Sequence, residues 1–155
     1  GFEKLWIKHE EQNPTGSFKD RESALVVSFA LKKGIKSIAI ASSGNAALST
    51  AAYAKKAGIE CVAYVPKKTT REKKERIQFF EAKLRIAPGN YEKVYRKLAD
   101  LKTNSWNVTS GQNYLRTEAD KTIAYEIWEQ IGVPDAVVDD ISLRLVRHVE
   151  KHLHA

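Results

Sequence analysis

The sequence predicts an α/β protein, a three-layer α/β/α sandwich with an open, mainly parallel sheet of four to six strands. Two observations predict this class. Short apolar runs that are low in charge recur along the chain, as expected for buried strands. Longer amphipathic or Ala-rich stretches lie between them and mostly end near glycine. Strands and helices that alternate in this way form βαβ crossovers, which produce a parallel sheet covered on both faces.

The first elements surround a polar, turn-rich stretch. Residues 5–7 form a short apolar strand candidate before that stretch. A helix is predicted over 20–33, because an acidic residue can cap its start and Leu25 and Phe29 fall on one apolar stripe. Gly34 is expected to end this helix.

The next three elements have the clearest patterns in the chain. Residues 37–41, Ser-Ile-Ala-Ile-Ala, are typical of a buried strand because they carry no charge. Residues 45–57 are rich in Ala, the strongest helix former, and Gly58 follows in the position of a helix stop. A second apolar strand is predicted at 61–65 and ends at Pro66.

The remaining elements repeat the unit with weaker signals. A basic helix is expected from Thr70 to Phe80 or Ala82, and a helix capped by Asn90 should reach Leu101. A long helix over 116–130 is expected to end near a glycine. The further predicted strands are 84–87, 106–108 and 136–138, and a last helix is predicted over 142–153.

The composition predicts one soluble, globular domain. The chain has 155 residues, of which 43% are hydrophobic and 29% are charged, and this excludes collagen-like, low-complexity and wholly disordered classes. We therefore expect 1–155 to form a single compact α/β domain. No apolar run approaches the roughly 18 residues of a membrane helix, and no signal-peptide core follows Gly1. The single Cys61 cannot form an internal disulfide, which favours a reducing compartment and makes a cytoplasmic location the expectation.

The net charge of +7 is concentrated between Lys67 and Arg76. A basic patch can attract phosphate backbones, but Lys and Glu mixed on a helix are more typical of a solvated face. No aromatic platform accompanies this patch, so nucleic-acid binding rests on charge alone. No metal site is predicted, because His148, His152 and His154 lie in one tail without Cys or carboxylate support.

The loop after the predicted strand 37–41 is the first candidate site. It consists of Ser42, Ser43, Gly44 and Asn45, and it leads into a helix whose first amides have no internal partners. Hydroxyls, a glycine and a carboxamide around such amides form a cup for a carboxylate or a phosphate. The alternative is ordinary helix capping by Ser or Asn. The GxGxxG and GxxxxGK[ST] patterns are absent, which weakens nucleotide binding as an interpretation.

Lys19 is the second candidate, in the segment Asn-Pro-Thr-Gly-Ser-Phe-Lys-Asp-Arg at 13–21. It lies where a turn meets the start of a helix, and the helix dipole there disfavours an ammonium group. Partial burial beside Phe18 would have the same effect. A neutral amine is the form that Schiff-base chemistry requires. The alternative is an ordinary surface lysine in a charged helix start.

Together, the two segments resemble the fold-type-II pyridoxal-phosphate-dependent enzymes, and the threonine synthase group in particular. The similar segments are NPTGSFKDR at 13–21 and ASSGNAALSTAAYAKKAG at 41–58. Later stretches around Asn90 and over 121–135 also look like that family. The resemblance extends over about 6–138, and the motif that contains the lysine is its most specific part.

This resemblance implies a cofactor, pyridoxal phosphate, and a set of roles. Lys19 matches the lysine that holds the cofactor as a Schiff base and then moves protons, with Phe18 beside it. Asn45 matches the residue that hydrogen-bonds the 3′-oxygen of the pyridoxal ring. The loop that grips the carboxylate of a small amino-acid substrate matches Ser42, Ser43, Gly44 and Asn45. Family members catalyse elimination or replacement on phosphorylated or hydroxy amino acids.

The sequence also departs from the pattern of the family. Residues 1–138 match the N-terminal half of a threonine synthase, and family members then continue into a Gly-rich loop that binds the cofactor phosphate. Here Asp139-Asp140-Ile141-Ser142 stands at that place, and 139–155 is expected to form a divergent closing helix. Glu22 stands where threonine synthases usually carry Gly.

The sequence therefore leaves two functions open. One is a pyridoxal-phosphate-dependent lyase of the threonine synthase or threonine/serine dehydratase type, incomplete as it stands, with Lys19 as the catalytic residue. The other is a non-catalytic, shortened or engineered α/β domain of the same ancestry that binds no cofactor. A monomer or a homodimer is expected in either case, without a membrane partner.

Overall fold

The structure, a computed structural model, describes residues 5–100 and 103–138. In this part of the chain, five α-helices alternate with four strands. The helices are α1 (Lys19–Lys32), α2 (Asn45–Ala57), α3 (Arg71–Gln78), α4 (Tyr91–Asp100) and α5 (Tyr114–Ile131). The strands are β1 (Ser37–Ala41), β2 (Glu60–Pro66), β3 (Lys83–Ala87) and β4 (Trp106–Asn107). A short 3-10 helix at Glu10–Gln12 precedes them.

The four strands form one parallel sheet in the order β3-β2-β1-β4. In the register of β1, Ser37 pairs with Glu60 of β2 and Ile38 pairs with Trp106 of β4. The chain therefore moves outward from β1 to β3 and then returns to add β4 on the other side of β1. The predicted α/β class with a parallel sheet is confirmed.

Two hydrophobic cores cover the two faces of the sheet, because successive side chains of a strand point to opposite faces. Ile38 and Ile40 of β1 pack in the larger core, to which α1, α2 and α5 contribute buried residues. Ala39 and Ala41 pack in the smaller core, where α4 contributes Val94 and Leu98. Helices therefore lie on both faces, as the sandwich prediction requires.

The ends of α2 show how the sequence sets local structure. Its Ala-rich sequence favours helix, and Gly58 ends it with φ 67°, a left-handed conformation that glycine adopts without steric cost. Gly44 occupies the position before its first residue, and no side chain caps the helix start. The sequence predicted the bounds of β1 and α2 to the residue.

The structure differs from the sequence prediction at the ends of the described region. Neither 5–7 nor 136–138 forms a strand, because neither segment pairs with any strand among the described residues. The side chains of Leu5, Trp6 and Ile7 are exposed instead of packed. The predicted closing helix over 139–155 and the predicted helix end at Leu101 lie outside the described residues.

No helix in the described ranges 5–100 and 103–138 has the length and the apolar character needed to span a membrane.

Candidate functional site

The strand order places the candidate site at the carboxyl ends of β1 and β4. The direction of chain progression reverses between these two strands, and ligands of open α/β sheets bind in the crevice that such a reversal creates. The loop 42–45 follows β1, and the loop 108–113 follows β4. The two loops are linked at their bases, because the Ala41 amide donates to Thr109 Oγ1 at 3.0 Å.

Lys19 is the first residue of α1 and lies at this same edge. Its Nζ donates to Glu22 Oε1 and lies 4.1 Å from the centre of the Phe18 ring. The Lys19 side chain keeps 23% of its surface exposed. The Phe18 ring therefore covers one side of the Lys19 amine.

A buried ion pair connects Glu22 with α5. Glu22 Oε2 accepts hydrogen bonds from Arg116 Nη1 at 2.8 Å and from Ser110 Oγ at 2.7 Å. Arg116 also donates to Thr50 Oγ1 of α2 at 2.6 Å and to the carbonyl of Val108. Both charged side chains are only 1% exposed. Three helices and the loop after β4 meet at this pair.

The protonation of the pair follows from two opposed effects. Burial alone would raise the pKa of Glu22, but the charge of Arg116 and the hydrogen bonds from Lys19 and Arg116 outweigh it and lower that pKa. Burial also lowers the pKa of the Arg116 guanidinium, against the attraction of Glu22. At neutral pH Glu22 is therefore a carboxylate and Arg116 a cation.

A second carboxylate, Asp20, fixes the turn that precedes Lys19. Its side chain accepts from the Thr15 amide at 2.7 Å, from Thr15 Oγ1 at 2.6 Å and from Ser49 Oγ of α2 at 2.5 Å. Asp20 is buried, so these bonds lie in a region of weak screening. The turn 13–18 and the start of α1 are thereby attached to the first half of α2.

The loop 42–45 presents an open helix start. The Ser42 amide donates to the carbonyl of Tyr64, and the Gly44 amide donates to Ser42 Oγ at 3.3 Å. Gly44 and Asn45 are exposed, and no side chain caps α2. The first amides of α2 therefore face outward at the positive end of the helix dipole, as an anion requires. The alternative interpretation, capping of α2 by Ser or Asn, is wrong.

The structure thus brings the predicted residues to one edge of the sheet without joining them directly. Within the described residues no hydrogen bond links Lys19 to the loop 42–45; the connection runs through Glu22, Ser110, Thr109 and Ala41. A cavity of about 440 Å³ lies behind Thr15 and Leu48, and none of the predicted site residues lines it. The candidate site residues therefore lie outside that cavity.

Sequence reasoning missed the partners of Glu22. It noted Glu22 as unusual, but it assigned no role to Ser110 or Arg116. A signal existed in Arg116, at the start of the helix predicted over 116–130. A cation at a helix start opposes the helix dipole, so it needs a carboxylate partner.

The groups present fit one part of a pyridoxal phosphate site. A lysine amine can bond to the aldehyde, an exposed carboxamide can bond to the ring oxygen, and open amides can bind a carboxylate. Residues 139–142, where the resemblance to the family predicts a departure from the phosphate-binding loop, lie outside the described residues. Within the described ranges, no group of three or more His, Cys, Asp or Glu side chains could hold a metal ion.

Comparison with known proteins gives a family and a set of relatives. Residues 1–142 match the family described as pyridoxal-phosphate dependent enzyme. The threonine synthase of Methanocaldococcus jannaschii is 35% identical over 142 residues, which cover 89% of this chain and 35% of that protein. The threonine synthase of Mycobacterium tuberculosis is 38% identical over 137 residues, which cover 84% of this chain and 38% of that protein.

A solved structure agrees with the sequence relatives. The crystal structure of a hydrogen sulfide-producing enzyme from Fusobacterium nucleatum superposes with a TM-score of 0.69 at 26% identity. The match covers 81% of this chain and 41% of that enzyme. The chain therefore spans well under half the length of the relatives named here.

Proposed function

This chain belongs to the family of pyridoxal-phosphate-dependent enzymes, and from that premise we propose that it carries the lysine-bearing part of an active site that acts on an amino acid. The observation that carries this proposal is the position of Lys19. It starts α1 at the carboxyl edge of the sheet, has a partly exposed side chain and lies within the region that matches the family. Pyridoxal phosphate is the candidate cofactor.

The proposed roles follow from the chemistry of each group. When bound, pyridoxal phosphate supplies an electron sink for the electron pair left on the α-carbon of an amino acid after a bond breaks there. Lys19 Nζ would hold the cofactor covalently and later accept or return a proton. The ring of Phe18 would shield that amine from water on one side, because it lies against Nζ.

The loop after β1 would bind the two other polar parts of the ligands. The exposed Asn45 amide would bond to the ring oxygen of the cofactor. The hydroxyls of Ser42 and Ser43 and the open amides after Gly44 would hold the substrate carboxylate, which the positive end of the α2 dipole stabilises. This division places the cofactor between Lys19 and α2.

The substrate class and the context are also proposed. The relatives named threonine synthase favour elimination or replacement on a phosphorylated or hydroxy amino acid. Residues that complete the site on its open side would come from outside the described region or from a second copy of the chain. The buried, unpaired Cys61 supports a reducing compartment, the cytoplasm, as the location.

The proposal is tested by covalent trapping of the cofactor. The full chain is mixed with pyridoxal phosphate, reduced with borohydride to make any lysine–cofactor bond permanent, and mapped by mass spectrometry. We expect stoichiometric labelling at Lys19, lost in Lys19→Ala and retained in the control Lys36→Ala, which changes an exposed lysine far from the site. Scattered labelling that is the same in all three proteins would contradict the proposal and favour a non-catalytic domain.

A further inference from the structure

Glu22 is a charged group of this site that contacts Lys19 and to which the proposed function gives no role. It lies three residues after Lys19, on the same face of the first turn of α1. Its two oxygens are divided between partners: Oε1 accepts from Lys19 Nζ, and Oε2 accepts from Arg116 and Ser110. We propose that Glu22 controls the reactivity of Lys19 by holding its amine as an ion pair, in the protonated form that is not nucleophilic.

The geometry makes this restraint a fixed one. Glu22 is 1% exposed, so its carboxylate cannot turn to solvent as a surface glutamate would. Arg116 is held in turn by the carbonyl of Val108 and the hydroxyl of Thr50. A charge pair in such a buried position interacts more strongly than one in water, because less solvent screens it.

The other charged groups around the pair do not replace Glu22. Arg116 from α5 is a cation and so opposes the protonated form of Lys19. Tyr91 from α4 is close enough to interact with Glu22, and Cys61 from β2 and Asp120 from α5 act on Arg116. Asp20, the next residue after Lys19, is engaged by Thr15 and Ser49. Glu22 is the carboxylate that the structure places in contact with the amine.

A consequence follows for the bond that Lys19 forms with any aldehyde. The amine must first release a proton to solvent, and the ion pair with Glu22 opposes that release. Its free electron pair then attacks the carbonyl carbon, and water leaves. Glu22 is thus a positioning residue that acts through Lys19. Any effect of Glu22 on the bond between Lys19 and the cofactor rests on the proposed function.

The test measures the reactivity of Lys19 without the cofactor. The full chain is treated with formaldehyde and cyanoborohydride, and the methylation rate of Lys19 is compared by peptide mapping with that of the exposed Lys36 in the same sample. In Glu22→Gln, which keeps the size and polarity of the side chain, we expect the ratio to rise about tenfold at neutral pH, because the carboxylate charge that holds the amine is gone. A ratio within twofold of the original would overturn the proposal.

A second variant separates charge from loosening of the fold. In Arg116→Gln, Glu22 keeps its charge and loses its other cation, so its hold on Lys19 should tighten and the ratio should fall. Loosening of the fold would expose Lys19 and raise the ratio in both variants. A rise in both is therefore a result against the proposal.

The same experiments keep this inference apart from the proposed function. Loss of cofactor trapping at Lys19 together with a rise of the ratio in Glu22→Gln would reject only the proposed function. Trapping at Lys19 together with an unchanged ratio in Glu22→Gln would reject only this inference.

Discussion

At the scale of single residues, the pair Glu22–Arg116 dominates the electrostatics of the described fold. Both side chains are almost completely buried, and the two residues lie 94 positions apart in sequence. Removing two charges from water is costly, and their attraction compensates only when other hydrogen bonds satisfy them. Ser110, Thr50 and the carbonyl of Val108 provide these bonds here.

Replacing one member of this pair should destabilise the fold strongly. We expect Arg116→Met to lower the free energy of unfolding by about 3 kcal/mol, because it leaves Glu22 buried with Lys19 as its only cation. Urea denaturation measures the change. The double variant Glu22→Gln with Arg116→Met should recover part of the loss, since no uncompensated charge remains. Equal stability of the single variant and the original chain would contradict this account.

The cluster around Arg21 makes a second, pH-dependent contribution. Arg21 donates to Glu10 at 2.8 Å and to both carboxylate oxygens of Glu126, at 2.6 and 2.7 Å, and so joins the N-terminal segment to α5. The hydrogen bond from Arg21, with help from Lys8, lowers the pKa of Glu126 to about 2. A carboxylate with a lowered folded pKa stabilises the fold above its unfolded pKa and loses that effect as the pH falls.

Glu126→Gln should therefore lower the free energy of unfolding at neutral pH and have less effect in acid. We expect a loss of about 0.5–1 kcal/mol at pH 7, a modest value because solvent screens this partly exposed pair. The difference from the original chain should shrink between about pH 4.5 and pH 2, the window set by the unfolded and folded pKa values of Glu126. Glu129→Gln, an exposed neighbour on α5, serves as the control. A difference that is constant with pH would argue against the cluster.

The sequence identified Lys19 but not its surroundings, and the reason is physical. A lysine within a specific local motif can be recognised from its neighbours in the chain. The contacts of Glu22 with Ser110 and Arg116 depend on how distant segments fold together. The residues next to Glu22 in the sequence do not indicate these contacts. The contacts can be predicted only when the order of the strands in the sheet is known.

At the scale of elements, the start of α5 is held by two hydrogen bonds of a single side chain, that of Asn113. Asn113 Oδ1 accepts from the Leu115 amide at 3.2 Å, and its Nδ2 donates to the carbonyl of Asn107 at 2.9 Å. Asn113 is buried, so both bonds lie away from water. This residue therefore caps the helix and fastens it to the loop after β4.

Asn113→Ala should lower the free energy of unfolding by more than the loss of an ordinary helix cap does. We expect a decrease of about 1–2 kcal/mol in the free energy of unfolding, because a buried carbonyl also loses its donor. The matched control is Thr70→Ala at the start of α3, where an exposed cap accepts from the Lys73 amide at 3.4 Å. That change should cost about 0.5 kcal/mol. Thermal unfolding followed by circular dichroism compares them, and equal losses would show that the second bond of Asn113 contributes nothing.

The elements that were predicted well share a property. β1 is apolar and uncharged, and α2 is Ala-rich and bounded by two glycines, so local preference and tertiary environment agree. Residues 5–7 and 136–138 also carry apolar side chains, yet a strand exists only where another strand accepts its hydrogen bonds. Pattern alone cannot supply that partner. The basic α3 buries only Ile77 among its residues, consistent with a solvated charged face.

At the scale of the whole molecule, strand order decides where the site lies. In an open parallel sheet, the loop after each strand lies at the edge where ligands bind. The order β3-β2-β1-β4 selects the loops after β1 and β4, because only between these strands does the direction of the chain reverse. Alternation of strands and helices predicts a parallel sheet, but it does not state on which side of β1 the last strand adds.

The larger core contains a probe of global stability. Cys61, the single cysteine of the chain, is 5% exposed, and burial raises the pKa of its thiol to about 12. At neutral pH the thiol is both inaccessible and protonated, and only the thiolate reacts.

Cys61 in the native chain should therefore react with a disulfide reagent about 100-fold more slowly than in the urea-unfolded chain, because reaction must await opening of the core. The rise of absorbance from the released thiol measures both rates. Cys61→Ala gives the background. Comparable rates in the native and unfolded chains would mean that the core around β2 is not closed.

The separation of Glu22 and Arg116 also has a consequence for synthesis on the ribosome. Glu22 emerges early, whereas its guanidinium partner is added 94 residues later. Until then, docking of α1 would bury a carboxylate that only Lys19 neutralises, so the early part of the nascent chain has an electrostatic reason to remain open. Arrival of α5 supplies Arg116 and removes that penalty. A growing polypeptide thus completes the surroundings of Lys19 late, although the lysine itself is among the first residues to be made.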